Sequence, residues 1–421
     1  MAQWRNWSGS VEANPERIAR PRTEGELAAL VGEASRVRVA GTGHSFMPLC
    51  ETDGLLLSLA EMEGAVEVAA DRQTAWAPAG MAIGDLTSAL WGEGLSLANQ
   101  GDIDKQAIAG ALATATHGTG RTLGALSTFA RGFRLVLADG SIVECDADHE
   151  SELFAAQRVS LGALGVMSRV NLAVVPAYHL KETLRRASLA EILEQWDELA
   201  ARHRHVEFFV FPYADEALLK ILEPTQSGDD PPPSDIENVI MGAACETARL
   251  IPALAPTIQR LLTRGIGSST RSAPAHRIFP SERATRFEEM EYEIPAAHGA
   301  AALRDAINEV RKRRLPITFP FEYRAVAGDD IWLSPMSAGE CVSISFHQYA
   351  RMPWLEAFAA IEPVFAAHGG RPHWAKRHTL SSDDVLRLYP NARRWGEVRK
   401  RVDPQANFLN AHLRDLLAFS L

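Results

Sequence analysis

The sequence predicts an α+β protein of two domains, and three observations carry that reading. A chain of 421 residues is too long for one ordinary hydrophobic core. Its first third alternates short β-rich runs with helical segments and closes at Pro176. From residue 181 to about 370 the pattern changes to longer amphipathic helices and β-rich runs, which places a boundary close to residue 180. Two domains of this kind can lie in series or one inside the other.

The elements follow in order. Glu24 to Ala34 reads as an amphipathic helix, with Thr23 as N-cap and Glu26 three residues later completing a capping box. Val37–Ala40, Gly54–Leu59 and Thr74–Ala79 read as strands, and Ile83–Glu93 as a helix. Phe133–Leu137 and Ser141–Cys145 are β-rich runs joined by Asp139-Gly140, a hairpin signature. The small apolar stretch Leu161–Met167 leads into a strand over Ser168–Val175. Beyond the boundary come a helix over Leu189–Arg202, a strand over Val206–Tyr213 and a loop at Ser227–Ser234, whose three consecutive prolines no helix or central strand tolerates. Ala300–Arg313 is a helix with a basic end that suits its dipole. Ile317–Ala325 and Cys341–Tyr349 are strands, Trp354–His368 is a helix, and the chain closes in a helical tail.

Composition excludes several function classes. The apolar fraction, 46%, is that of a globular protein. A net charge of −10 with no long basic run argues against nucleic acid as a partner. The four cysteines, Cys50, Cys145, Cys245 and Cys341, lie far apart without CxxC spacing, as expected of a reducing compartment and of no metal site. The N-terminus lacks the apolar core of a secretory signal, and no run of apolar residues is long enough for a membrane span. A cytoplasmic location is the expectation.

The chemistry gathers at two glycine-rich sites. In Val39-Ala40-Gly41-Thr42-Gly43-His44-Ser45, a short strand runs into a turn whose glycines let backbone N–H groups approach a pyrophosphate. His44 sits where its ring reaches whatever the loop holds. The second site runs from Asn99 to Gly120 and mixes glycines, alanines and threonine hydroxyls without helical periodicity. Such a tract can lie against a large planar cofactor, or it can be a tightly packed internal turn. Paired with the first loop, a nucleotide cofactor is the better reading. No third glycine completes a GxGxxG, which argues against a Rossmann site.

At this point the chain resembles the vanillyl-alcohol-oxidase-type flavoproteins, and within them the sugar-1,4-lactone oxidases and the related alditol oxidases. The marks span nearly the whole chain: Asn6-Trp7-Ser8-Gly9, Gly41 to Ser45, Gly110, and Thr116-His117-Gly118-Thr119-Gly120. Met290 to Pro295, Glu322-Tyr323-Arg324, Asp330 to Pro335, Arg371 to Lys376 and Asp403 to Asn410 follow. The resemblance implies a bipartite FAD-binding fold of the vanillyl-alcohol-oxidase/PCMH type with an inserted cap domain. It divides the chain into residues 1–180 for FAD, 181–370 for the cap and 371–421 returning to the FAD side. It also implies a covalent 8α-histidyl bond from His44 to the flavin, which raises the flavin's potential and fixes its place. Val39, Ala40, Gly41, Thr42, Gly43, Ser45, Asn99, Gly101, Asp102, Ala107, Gly110, Ala111, Leu112, Ala113, Thr116, Val166 and His373 match positions that line FAD.

Glu322 and Arg324 stand at i and i+2, so on a strand both project from one face. A carboxylate beside a guanidinium suits a clamp on vicinal hydroxyls, and equally a plain ion pair. Ser343, Ser345 and His347 share a face of the next strand, either as a polar face or, for Ser345 and His347, as pocket residues. Lys376 matches the lysine placed near the flavin and the reacting hydroxyl. A desolvated lysine near other cations can have a lowered pKa and accept a proton, or it can hold the hydroxyl or stabilise negative charge on reduced flavin while a water takes the proton. The expected reaction is hydride transfer from a carbinol C–H to FAD, with Lys376, Glu322 and Arg324 as catalytic residues. Asp102, Ser345 and His347 join these three in binding substrate. Gly101-Asp102, Asp330-Ile331-Trp332 and His347-Gln348-Tyr349 stand closer to the lactone branch than to the alditol branch, so the expected substrate is an aldono-1,4-lactone oxidised at C2 to an ascorbate-type acid. A polyol is the alternative. Gly101 leaves the flavin edge open, which favours molecular oxygen as acceptor and hydrogen peroxide as product over a dehydrogenase.

Overall fold

A computed structural model describes residues 3–228 and 236–421. Most of the loop expected at Ser227–Ser234, from residue 229 on, lies outside the described residues.

The N-terminal part is built on two small sheets. Strands β1 (Arg17–Ala19), β2 (Val37–Val39) and β3 (Leu55–Leu57) form a parallel sheet in the order β1-β3-β2. Leu55, Leu56 and Leu57 are all buried, as a central parallel strand requires. Helix α1 (Glu24–Glu33) packs Leu27 and Val31 onto this sheet. Thr23 caps it through the N–H of Glu26 at 3.2 Å. The capping box is altered: the Glu26 carboxylate accepts the N–H of Arg22 instead of that of the cap residue. Strands β4 (Glu67–Val68), β5 (Thr74–Pro78), β6 (Ala130–Val136), β7 (Ile142–Asp146) and β8 (Val166–Ala173) form an antiparallel sheet in the order β7-β6-β8-β5-β4. The hairpin β6–β7 turns at Asp139-Gly140, with Gly140 at φ +80°. Helices α2 (Ile83–Gly92) and α3 (Ile108–Ala113) pack against this sheet, and α3 gives the second glycine tract a short buried helix that its composition did not announce.

One antiparallel sheet of eight strands dominates the rest. Its strands are β9 (His179–Ser188), β10 (His205–Val210), β11 (Glu216–Thr225), β12 (Ser269–Pro274), β13 (Phe287–Pro295), β14 (Phe321–Val326), β15 (Cys341–Tyr349) and β16 (Arg371–Pro372). They stand in the order β12-β9-β11-β10-β14-β15-β13-β16. Side chains alternate across this sheet with unusual clarity. One face carries Phe208, Leu219, Met290, Tyr292, Tyr323, Ile344 and Phe346, packed under helices α4 (Ala296–Arg313) and α5 (Trp354–Ala367). The other carries Glu182, Lys220, Glu207, Glu289, Glu291, Glu293, Glu322, Arg324, Ser343 and Ser345, and it turns toward the N-terminal part.

Two elements differ from expectation. The helix read over Leu189–Arg202 is two short helices, Leu189–Glu194 and Trp196–Arg202, parted at Gln195 (φ −97°, ψ 6°). The break lets Trp196 bury itself edge-on against Phe208 and Tyr323 at ring-centroid distances of 5.5 and 4.7 Å. The strand read from Ile317 starts only at Phe321, because residues 317–320 run outside the ladder.

Candidate active site

The loop after β2 and the tract around α3 face each other across a cavity. Val39 to Ser45, Ala107, Gly110, Ala111, Ala113 and Val166, all expected at the cofactor, line it. Half of the residues on its wall are alanine or glycine. A Cβ added at Gly41 would meet Ala107 Cβ at 3.0 Å, so the two segments approach as closely as glycine allows, whereas at Gly110 it would meet nothing within 4 Å. Among the described residues no acceptor takes the backbone N–H groups of Gly41 to Ser45. A flat, small-residue cradle with unclaimed N–H donors fits a large dinucleotide such as FAD. His44 lies on its wall with Nδ1 2.9 Å from Thr42 Oγ1. Burial, reinforced by the Lys376 cation, lowers its pKa to about 4, which keeps the imidazole neutral and nucleophilic.

A second cavity adjoins the first. Gln106 lines both, and Ala375 of the first is followed by Lys376 of the second. Gly101, Asp102, Thr116, Glu322, Arg324, His347, His373 and Lys376 line this smaller space. The structure thus brings Asp102, Glu322, Arg324, His347 and Lys376 together, and it sets Gly101, Thr116 and His373, expected at the cofactor, on this second cavity and not on the first. Three expected residues line neither cavity. Asn99 is fully buried, its Oδ1 accepting the N–H of Gln100; Leu112 points into the core; Ser345 stands behind the wall.

Residues with no role read from the sequence complete the second cavity: His117, Arg283, Glu289 and Glu291. Glu291 is its hub. Its Oε1 lies 2.7 Å from His117 Nε2, and its Oε2 accepts from Ser345 Oγ at 2.8 Å and Arg324 Nη2 at 3.1 Å. The signal was present as Glu289, Glu291 and Glu293 at i, i+2 and i+4, alternating with Met290, Tyr292 and Ile294 along one strand. Glu293, the third, sits 3.3 Å from His117 Nε2. Although burial disfavours the imidazolium, Glu293 and Glu291 push the pKa of His117 up to about 10. His117, Glu291 and Glu293 also form the one cluster among the described residues whose ligand atoms lie within 4.8 Å of one another, but those atoms are engaged with each other.

Lys376 is held by a carboxylate. Burial alone would lower its pKa, but its bond to Glu289 and the nearby Glu291 carboxylate outweigh burial and raise it. The lysine is a held cation, not a free base. Asp102 is paired with Arg283, and that guanidinium together with Arg324 keeps its carboxyl well below the usual range despite burial. Glu322 behaves in the opposite way: burial, with Glu207 and Asp102 nearby, lifts it to about 8 against the pull of Arg324, whose Nε is 3.5 Å away. The cavity therefore presents four cations, Arg283, Arg324, Lys376 and His117, beside several carboxylates.

Family models match this geometry. Residues 15–146 match an FAD binding domain, and residues 170–416 match the D-arabinono-1,4-lactone oxidase model. The chain belongs to the D-arabinono-1,4-lactone oxidase family. It is 39% identical to an L-gulono-1,4-lactone dehydrogenase of Mycobacterium tuberculosis over 98% of this chain and 99% of the relative. It is 29% identical to an L-gulonolactone oxidase of Mus musculus over 98% and 97%. In fold it is similar to a His121Ala mutant of cholesterol oxidase from Brevibacterium sterolicum, with a TM-score of 0.80 at 17% identity, covering 99% of this chain and 96% of that one. The relatives are FAD-dependent oxidases and dehydrogenases acting on lactones or alditols, and the chain is an oxidoreductase. Among the described residues no helix is long and apolar enough to cross a membrane.

Proposed function

We propose that the protein oxidises an aldono-1,4-lactone of the L-gulono type at C2, giving an ascorbate-type product, with FAD tethered through His44. The observation that carries this reading is the convergence of Glu322, Arg324 and Lys376 in one buried cavity that opens against the glycine-lined one. FAD bound in the larger cavity supplies the hydride acceptor. Arg324, held by Glu291 and Glu322, and Lys376, held by Glu289, donate to the ring hydroxyls and the reacting oxygen, fixing the carbinol for transfer. The neutral His44 ring is the proposed point of attachment. Residues 1–180 and 371–421 form the proposed FAD-binding unit and 181–370 the cap. The four free, dispersed thiols support a cytoplasmic setting.

Molecular oxygen is the proposed acceptor, because Gly101 puts no side chain into the wall of the second cavity. The 39% identical relative bears the name dehydrogenase, which favours a second reading with a different acceptor. Anaerobic mixing decides the substrate: bleaching of the flavin band by L-gulono-1,4-lactone and not by xylitol is expected, and the reverse pattern would select a polyol oxidase. Admitting oxygen to the reduced protein then decides the acceptor. Rapid reoxidation with peroxide release is expected of an oxidase, and persistent reduced flavin would select the dehydrogenase.

A further inference from the structure

The polar face of the large sheet carries more charge than the substrate cavity uses. A row of facing residues crosses seven strands. Arg271 on β12 faces Glu182 on β9 at 2.8 Å, and Lys220 on β11 lies 3.7 Å from Glu182. Lys220 stands opposite Glu207 on β10 at 2.8 Å, and Glu207 stands opposite Arg324 on β14. Arg324 faces Ser343 on β15, and Ser343 faces Glu293 on β13. Glu207 and Glu322 are buried to 5% exposure each, on the same face of adjacent strands, with Glu207 outside the cavity and Glu322 on its wall. Glu207 pairs with Arg324 and Phe209 with Glu322, which sets the two carboxyl groups diagonally across adjacent strands, and two buried carboxyl groups so placed do not both ionise readily.

We infer that Glu207 and Lys220 are positioning residues for proton transfer: Glu207 and Glu322 form a carboxyl pair holding one proton, with Lys220 as its counter-cation. The inference rests on the proposed oxidation. In that reaction the substrate O–H bond breaks and an O–H bond forms on a Glu322 carboxylate oxygen, while the carbinol hydride leaves with its electron pair to FAD, the oxidant. The pair must be fully ionised to accept that proton. The groups facing Glu322 are Arg324, Arg283, Asp102 and Glu207; those facing Glu207 are Lys220, Arg324 and Glu322. Burial raises Glu322, and the Glu207 and Asp102 carboxylates add to it, whereas Lys220 and Arg324 hold Glu207 below its ordinary value despite burial, so the shared proton sits on Glu322 and the upper titration step of the pair lies high. Lys376, a held cation, leaves Glu322 as the acceptor.

The two positioning residues make opposite predictions. The rate of anaerobic flavin reduction should rise with pH in the wild type. Glu207→Gln removes the second carboxylate and should move that limb about one unit toward acid, with KM little changed. Lys220→Met removes the cation and should move it toward alkali, and Lys220→Arg should restore it. Variants that merely slow the reaction, or that shift both limbs in the same direction, would overturn the inference. An infrared titration of the resting holoenzyme separates the two readings. A protonated-carboxyl band that both Glu207→Gln and Glu322→Gln shift or abolish supports the pair even if no lactone or polyol reduces the flavin, an outcome that would sink only the proposed oxidation. No change in that band in either variant would overturn the pair.

Discussion

At the scale of single residues, the site works by holding charges in place. His44 is the sharpest case: burial keeps its ring neutral, as a nucleophilic attachment point requires. Acid precipitation should leave yellow, fluorescent flavin in the wild-type pellet, whereas His44→Ala should release it to the supernatant. Flavin in the wild-type supernatant would refute the tether. Lys376 shows how a neighbour reverses a tendency. Its pKa is raised by Glu289 and Glu291 against burial, so it is cationic below that raised value and loses charge only as pH rises through it. Glu289→Gln should therefore move the alkaline loss of activity to lower pH, read from flavin reduction rates. An unmoved alkaline limb would show that Lys376 is not the cation that matters. That Glu322 and Arg324 share one face was legible from i, i+2 spacing, while their reading as pocket residues came from the family resemblance. The lysine's protonation state was not legible, because Glu289 lies 87 positions away in the chain.

At the scale of elements, two segments decide the architecture of the site. The glycine tract brings its backbone against its own earlier part: a Cβ at Gly118 would collide with Gln100 O and the Asn99 side chain. Gly118→Ala should cost several-fold or more in folded yield, measured as holoprotein recovered. Gly110→Ala meets no atom within 4 Å and should fold normally, with weaker FAD retention because its methyl enters the cofactor cavity. Equal behaviour of the two variants would contradict this assignment. Strand β13 is the other. Its glutamates were visible as letters, but a strand reads as a two-faced surface only when the partners on each face are known. Met290, Tyr292 and Ile294 meet the helices, and Glu289, Glu291 and Glu293 meet His117, His347, Arg324 and Lys376. The split of the helix at Gln195 was hidden for a similar reason: Trp196 is drawn under Phe208 and Tyr323, residues on distant strands.

At the scale of the whole molecule, Arg38 ties three distant segments together. It is buried on β2, and its guanidinium donates to the carbonyls of Leu49, Leu161, Gly162 and Phe408. The C-terminal stretch is thereby anchored beside the loop that carries His44. The pKa of Arg38 is pulled down to about 10 by burial, and it still remains charged at neutral pH. Removing it leaves buried carbonyls without donors, so Arg38→Met should destabilise the fold by about 3 kcal/mol, measured by denaturant unfolding. A change below about 1 kcal/mol would show that water replaces the guanidinium there.

The sequence by itself determined the family, the glycine-rich FAD cradle with its histidine, and the strand carrying Glu322 and Arg324. Those features are local: a turn needs glycine where backbone must approach a ligand, and alternation on one strand follows from its pleat. Only the tertiary structure decided which charges meet. The pairing of His117 with Glu291, of Lys376 with Glu289, and of Glu207 with Lys220 and Arg324 arises from strand order and register, and neither is written in any short stretch of residues. Protonation follows from those meetings, since a buried group takes its charge state from its neighbours.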